Sequence, residues 1–110
     1  MTDWTAIGTI ADVPRQGART VSLDGRRIAV FRTQDDSIFA LDDRCPHKQG
    51  PLSQGIVHGH SVTCPLHNWR IALATGEAQG DDKGCTPTIA VRLEEDRIFI
   101  ALPLAANQAA

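Results

Sequence analysis

Two short segments of this chain each place a cysteine close to a histidine, and they restrict the possible fold more than any other feature. The segments are Cys45-Pro46-His47 and Cys64-Pro65-Leu66-His67, and sixteen residues separate them. The proline after each cysteine fixes a backbone dihedral where the chain must turn around a bound group. A fold that brings the segments together gathers two thiolates and two imidazoles into one four-ligand site.

The mixing of the two ligand types on each segment favours a two-iron cluster whose irons have different ligands. Cys45 and Cys64 would bind one iron, and His47 and His67 would bind the other. Neutral imidazoles in place of two thiolates remove negative charge, so the reduction potential rises above that of an all-cysteine cluster. The sequence therefore predicts that these four residues bind a [2Fe-2S] cluster.

A structural zinc site is the alternative interpretation, because two cysteines and two histidines also form a common tetrahedral zinc site. Zinc fingers usually place their two cysteines on one turn and their two histidines on another. This chain alternates the ligand types, which favours iron and sulfide over zinc. His58 and His60 lie on a predicted hairpin turn with no cysteine beside them, and we interpret them as solvated turn residues.

Length and charge limit the class of protein to which the chain belongs. The 110 residues are enough for one domain, predicted at 1–110, with a core of its own. A net charge of -2 without a basic cluster argues against a nucleic-acid partner. The first residues lack the features of a secretory signal, and no apolar run is long enough to span a membrane. We therefore expect a cytoplasmic protein without a membrane partner.

Alternating apolar residues and turn signals predict an all-β fold. Strands are predicted at 19–23, 26–31, 37–41, 56–57, 61–63, 88–93 and 97–102. Asp24-Gly25 is a two-residue hairpin signal between the first two strands. We expect an antiparallel β-sandwich made from both ends of the chain, with a cluster-binding subdomain inserted at about 43–84 and a frayed tail at about 105–110.

Four other residues near the ligand segments receive simpler interpretations. Asp42 and Asp43 are interpreted as solvated turn residues that bias the docking of a partner protein. Trp69 is interpreted as a packing residue rather than a conduit for electrons. Cys85, the third cysteine, is interpreted as a small, partly buried apolar residue.

The ligand spacing resembles that of the Rieske family of iron–sulfur proteins, and the resemblance extends from Trp4 to about Leu102. It implies a Rieske-like β-sandwich. High-potential members of the family have a further cysteine in each cluster loop, where this chain has Gly50 and Leu66, so their bracing disulfide is absent here. They also have serine and tyrosine hydroxyl donors where this chain has Trp69 and Ile71, which implies a low potential.

Within this family the chain is similar to the small subunit of assimilatory NAD(P)H-dependent nitrite reductase. The similarity lies at 47–57, 64–69, 75–80 and 84–86, and His67-Asn68-Trp69 and Gly84-Cys85-Thr86 are its most discriminating elements. It implies an electron-transfer subunit for the reduction of nitrite to ammonia in nitrate assimilation. The implied partner is a large subunit with FAD, an iron–sulfur cluster and sirohaem, and the small subunit is not expected to be catalytic alone.

The alternative within the family is a soluble Rieske ferredoxin that delivers electrons to an aromatic-ring dioxygenase. Oxygenase ferredoxins tend to have a small residue and a phenylalanine where this chain has Asn68 and Trp69. A third interpretation, an interaction module with a structural metal, would be separated from both by iron and acid-labile sulfide content.

Overall fold

The computed structural model describes residues 4–23, 25–43, 51–64, 69–78, 84, 86 and 88–101. These residues form nine β-strands: β1 (Thr5–Thr9), β2 (Gly17–Leu23), β3 (Arg26–Arg32), β4 (Ile38–Asp42), β5 (Ile56–His58), β6 (Ser61–Thr63), β7 (Arg70–Ala72), β8 (Thr88–Glu94) and β9 (Arg97–Ala101). Two 3-10 turns lie at Ile10–Asp12 and Leu52–Gln54, and the described ranges contain no α-helix. The all-β prediction is confirmed. The same ranges hold no helix that could span a membrane.

The strands form two antiparallel sheets arranged as three packed layers. The larger sheet has the order β1-β9-β8-β4-β3-β2, and the smaller sheet has the order β5-β6-β7. Only two residue pairs join β4 to β8, so the larger sheet divides into two halves. One apolar core lies between these halves, and a second lies between the β4-β3-β2 half and the smaller sheet. The β4-β3-β2 half is therefore the central layer.

Strand β3 contributes to both cores, because its side chains alternate between the two faces of the central layer. Ile28 and Val30 enter the core shared with β8 and β9. Ala29 and Phe31 enter the core shared with the smaller sheet, and all four residues have an exposed fraction of 0%. A strand buried on both faces has a continuous apolar sequence instead of an alternating one.

The predicted strands all occur in the described structure, but the sequence missed two others. The seven predicted segments overlap β2 to β6, β8 and β9, although Asp24 and Leu102 lie outside the described residues. The missed strands are β1, whose register is broken by a bulge between Ala6 and Gly8, and β7, which has only three residues. Neither is long or regular enough to show a period of two. The subdomain boundaries and the tail stay predictions.

The smaller sheet also contacts the larger one through the turn between β5 and β6. His60 Nε2 lies 3.2 Å from Asp35 Oδ2, and its ring packs edge-on against Phe39 with centroids 5.2 Å apart. The Thr33 hydroxyl, and then His60, hold the pKa of Asp35 below its ordinary value by hydrogen bonding. His58 and His60 are both exposed, as predicted for turn residues.

Gly76 and Gly25 are a matched pair of positions for testing whether the backbone at Gly76 lies in close contact with Thr86. Both have left-handed backbones, with φ +75° at Gly76 and +79° at Gly25. A Cβ at Gly76 would overlap the carbonyl oxygen of Thr86, whereas no described atom lies within 4 Å of a Cβ at Gly25. We expect Gly25→Ala to cost about 1 kcal/mol from backbone strain alone. Gly76→Ala should cost about 2 kcal/mol more, because backbone must also shift.

Urea unfolding of the two glycine variants would measure this difference. Equal destabilisation by the two substitutions would contradict the close approach of Gly76 to Thr86.

Candidate metal centre

Strands β5 and β6 lie between the two predicted ligand segments in the sequence. Strand β5 starts at Ile56, shortly after the first segment, and β6 ends at Thr63, directly before Cys64. Ile56 and Thr63 are paired with each other in the sheet. A Cβ at Gly55 would overlap the carbonyl oxygen of Thr63, so this position requires glycine. The pairing of β5 with β6 therefore places the backbone that follows the first segment beside the backbone that leads into the second.

Cys64 is the predicted ligand that the structure describes. It is fully buried, in the same core as Leu52 and Ile71. Its backbone N–H donates a hydrogen bond to the carbonyl oxygen of Trp69 at 2.7 Å, which closes the second segment. The side chain of Trp69 is partly buried against this core, and its interpretation as a packing residue is confirmed.

The other three predicted ligands, Cys45, His47 and His67, lie outside the described residues, as do Gly50, Leu66 and Cys85. Within the described ranges, no three side chains of the metal-binding types gather at one point. The assignment of the four ligands therefore stays a prediction, and the described residues show what surrounds it.

Asp42 and Asp43, at the end of β4, are buried and paired. Their interpretation as solvated turn residues is wrong, because their side chains are only 9% and 0% exposed. Asp42 Oδ1 lies 2.7 Å from a guanidinium nitrogen of Arg26. The cause is the β2–β3 hairpin, whose first β3 residues lie beside the end of β4.

The carboxylate of Asp43 connects β4 to the 3-10 turn that follows the first ligand segment. It accepts one hydrogen bond from the backbone N–H of Ser53 at 2.7 Å and another from the Ser53 hydroxyl at 2.8 Å. The Nε atom of Arg27 lies 3.6 Å away. This role of Ser53 has no signal in the sequence, because only the fold brings these residues, ten positions apart, into contact.

Thr86 has a buried hydroxyl that nothing in the described structure satisfies. The residue is 4% exposed, and its Oγ1 atom has no hydrogen-bond partner among the described residues. Its backbone N–H donates to the carbonyl oxygen of Gly76 at 2.8 Å. The pairing of β4 with β8 ends at Leu41 and Thr88, so Asp43 and Thr86 are each two residues beyond its last pair.

These observations fit a buried group that accepts hydrogen bonds and binds thiolate. Cys64 offers a thiol inside an apolar core, and Thr86 offers a buried donor that has no partner among the described residues. A buried donor left unpaired costs about 1–3 kcal/mol, and no described residue supplies an acceptor for this hydroxyl. Sulfide and thiolate sulfur are acceptors of this kind.

Comparison with known proteins identifies the family. The Rieske [2Fe-2S] domain model matches residues 3–90, so the chain belongs to this family. The ferredoxin component of the naphthalene 1,2-dioxygenase/salicylate 5-hydroxylase systems of Ralstonia sp is 28% identical over 106 residues, covering 91% of this chain and 96% of that protein.

Two solved structures are similar to the fold over most of its length. A Mycobacterium tuberculosis protein described as an NADH-dependent nitrite reductase small subunit has a TM-score of 0.84 and 27% identity, covering 94% of this chain and 97% of its own. The ferredoxin of carbazole 1,9a-dioxygenase from Nocardioides aromaticivorans IC177 has a TM-score of 0.79 and 23% identity, covering 90% and 99%. The second likeness concerns the fold alone.

The chain is thus a Rieske electron-transfer domain of the kind associated with oxidoreductases, and its cofactor is a Rieske-type [2Fe-2S] cluster. The family identification and the cofactor predicted from the ligand spacing are both confirmed.

Replacement of Thr86 by valine tests whether its hydroxyl lacks a protein partner. In cluster-free protein, Thr86→Val should raise Tm by about 4 °C, since an unsatisfied polar group becomes a methyl group. Thr33→Val is the matched control, because Thr33 is also buried but its hydroxyl bonds to Asp35. The control should lower Tm. A drop in Tm for Thr86→Val, measured by thermal unfolding, would mean that the hydroxyl has a protein partner.

Proposed function

We propose that the chain is the small, electron-transferring subunit of an NAD(P)H-dependent nitrite reductase, in which Cys45 and Cys64 bind one iron and His47 and His67 the other. The observation that carries the ligand assignment is the interleaved spacing of these residues, combined with the pairing of Ile56, which follows the first segment, and Thr63, which precedes the second. We include in the proposal a single domain at 1–110, the cluster-binding subdomain at about 43–84 and a location in the cytoplasm.

The bound cluster would supply one-electron transfer, and the residues of the chain would set the conditions for it. Cys64 and its apolar neighbours Leu52 and Ile71 exclude water from one side of the site. The hydrogen bond from Cys64 to Trp69 joins the described residues on either side of 65–68. No step of nitrite reduction is assigned to this chain alone.

The ligand assignment predicts the effect of removing one thiolate. Cys64→Ala should abolish the visible absorption of the cluster and the paramagnetic signal of its reduced state, because an alanine cannot bind iron. His58→Ala is the control, since His58 is exposed and bonds to Thr63 instead. Absorption and electron paramagnetic resonance spectra measure both variants. A normal spectrum in Cys64→Ala protein would refute the assignment.

The expected reduction potential depends on the side chains two and four residues after His67. Trp69 and Ile71 cannot donate a hydroxyl hydrogen bond to sulfur, and the chain contains no tyrosine. Without hydroxyl donors at these two positions the reduced cluster is less stabilised, so the midpoint potential should lie at about -150 mV, at the low end of the Rieske range. A voltammetric midpoint above about +100 mV would contradict this argument, and would implicate the buried hydroxyl of Thr86 as a donor.

The nitrite reductase role is supported by a combination of sequence elements and structural similarity. The elements are His67-Asn68-Trp69 and Gly84-Cys85-Thr86, and the similar structure is that of the Mycobacterium tuberculosis protein. The ferredoxin of an aromatic-ring dioxygenase is the second candidate, favoured by the 28% identity to the Ralstonia ferredoxin component over nearly its full length.

Purification of the tagged chain from its own cells would separate the two candidates. We expect a stable complex that contains FAD and the visible absorption of sirohaem, and that reduces nitrite with NADH or NADPH. Salt-sensitive reduction of the chain by a small flavoprotein reductase, with no sirohaem in the complex, would refute the first candidate and support the second. Cells without the chain, complemented by Cys64→Ala protein, would show whether the cluster is needed beyond stabilising the large subunit.

A further inference from the structure

We propose that Asp43 is a positioning residue for the cluster: its buried carboxylate holds closed the segment 44–52, which carries Cys45 and His47. The inference rests on the ligand assignment proposed above and adds a residue that binds no iron. Asp43 precedes this segment, and Ser53 follows it directly. The two hydrogen bonds between them therefore join the two ends of the segment.

Both ends of this connection are anchored in the core. The backbone N–H of Asp43 donates to the carbonyl oxygen of Arg27 at 3.0 Å, which extends the β3–β4 ladder by one residue. Leu52, beside Ser53, is fully buried between the central layer and the smaller sheet. The carboxylate thus connects two rigid elements and not two mobile ones.

The Ser53 contacts, more than the Arg27 ion pair, account for the position of the carboxylate. The Arg27 side chain is 70% exposed and its Nε atom is 3.6 Å away, so water screens most of that attraction. The two Ser53 donors approach a carboxylate that is 0% exposed, and hydrogen bonds to a buried charge are among the stronger ones. A buried carboxylate needs such partners, because no water replaces them.

The same carboxylate places a fixed negative charge near the first ligand. Asp43 is two residues from Cys45, so their Cα atoms are at most about 7.6 Å apart. An electron added to the cluster would be repelled by this charge. Asp43 should therefore lower the midpoint potential as well as hold the segment closed.

Two substitutions of Asp43 and one of Ser53 separate these effects in the cluster-loaded protein. Asp43→Ala removes both hydrogen bonds and the charge, whereas Asp43→Asn keeps the shape and removes the charge. Ser53→Ala removes only the hydroxyl hydrogen bond and keeps the backbone one. Ser22→Ala, at an exposed position in β2, is the matched control. The readouts are the rate of cluster loss to an iron chelator, the midpoint potential and the β-type circular dichroism.

We expect Asp43→Ala to lose its cluster at least tenfold faster than the wild type, and Ser53→Ala several-fold faster. Ser22→Ala should lose it at the wild-type rate. The circular dichroism of all three variants should be unchanged. The midpoint potential of Asp43→Asn should rise. If Asp43→Ala does not fold, the Ser53→Ala rate decides the matter. Wild-type rates of loss in folded Ser53→Ala and Asp43→Ala protein, or an unchanged potential in Asp43→Asn, would overturn the proposal.

The outcome can be told apart from failure of the ligand assignment. All these variants retain the four proposed ligands, so each should show a Rieske spectrum before chelator is added. A missing spectrum in the wild type, or a normal one in Cys64→Ala protein, would overturn the ligand assignment instead.

Discussion

The burial of strand β3 on both of its faces is the constraint on which the rest of the structure depends. Its side chains enter two cores in alternation, so the central layer holds the β1-β9-β8 layer on one side and the smaller sheet on the other. Phe31 and Ala29 share one apolar core with Leu52, Val62 and Cys64. Leu52, which follows the first ligand pair, and Cys64, which begins the second, are therefore supported by a strand that belongs to neither segment.

The environment of the cluster depends on residues that do not bind it. Asp43 and Ser53 join the ends of the first segment, and the Cys64–Trp69 hydrogen bond joins the ends of the second. Gly55 and Gly76 permit backbones to approach where a side chain would overlap a carbonyl oxygen. These contacts hold together the described residues that border the two ligand segments.

Local signals account for most of what could be predicted. Strands β8 and β9 are long, and they are separated by a short polar turn, so their hairpin is visible in a window of a few residues. Strand β7 is too short for such a signal, and the bulge between Ala6 and Gly8 disturbs the alternation in β1. Leu93 follows the predicted alternation but is 42% exposed, because it lies near the end of the hairpin.

The sequence by itself determined the family, the all-β class and the nature of the cofactor, because these follow from the spacing of a few residues and from local alternation. The tertiary structure alone decided the roles of Asp43, Ser53 and Thr86. Asp43 follows a strand and looks solvated in the sequence, but the β2–β3 hairpin and Ser53 bury it. The Thr86 hydroxyl has no partner among the described residues, which only the packing around it reveals. Burial and hydrogen-bond partners depend on residues far apart in the chain, and no local pattern encodes them.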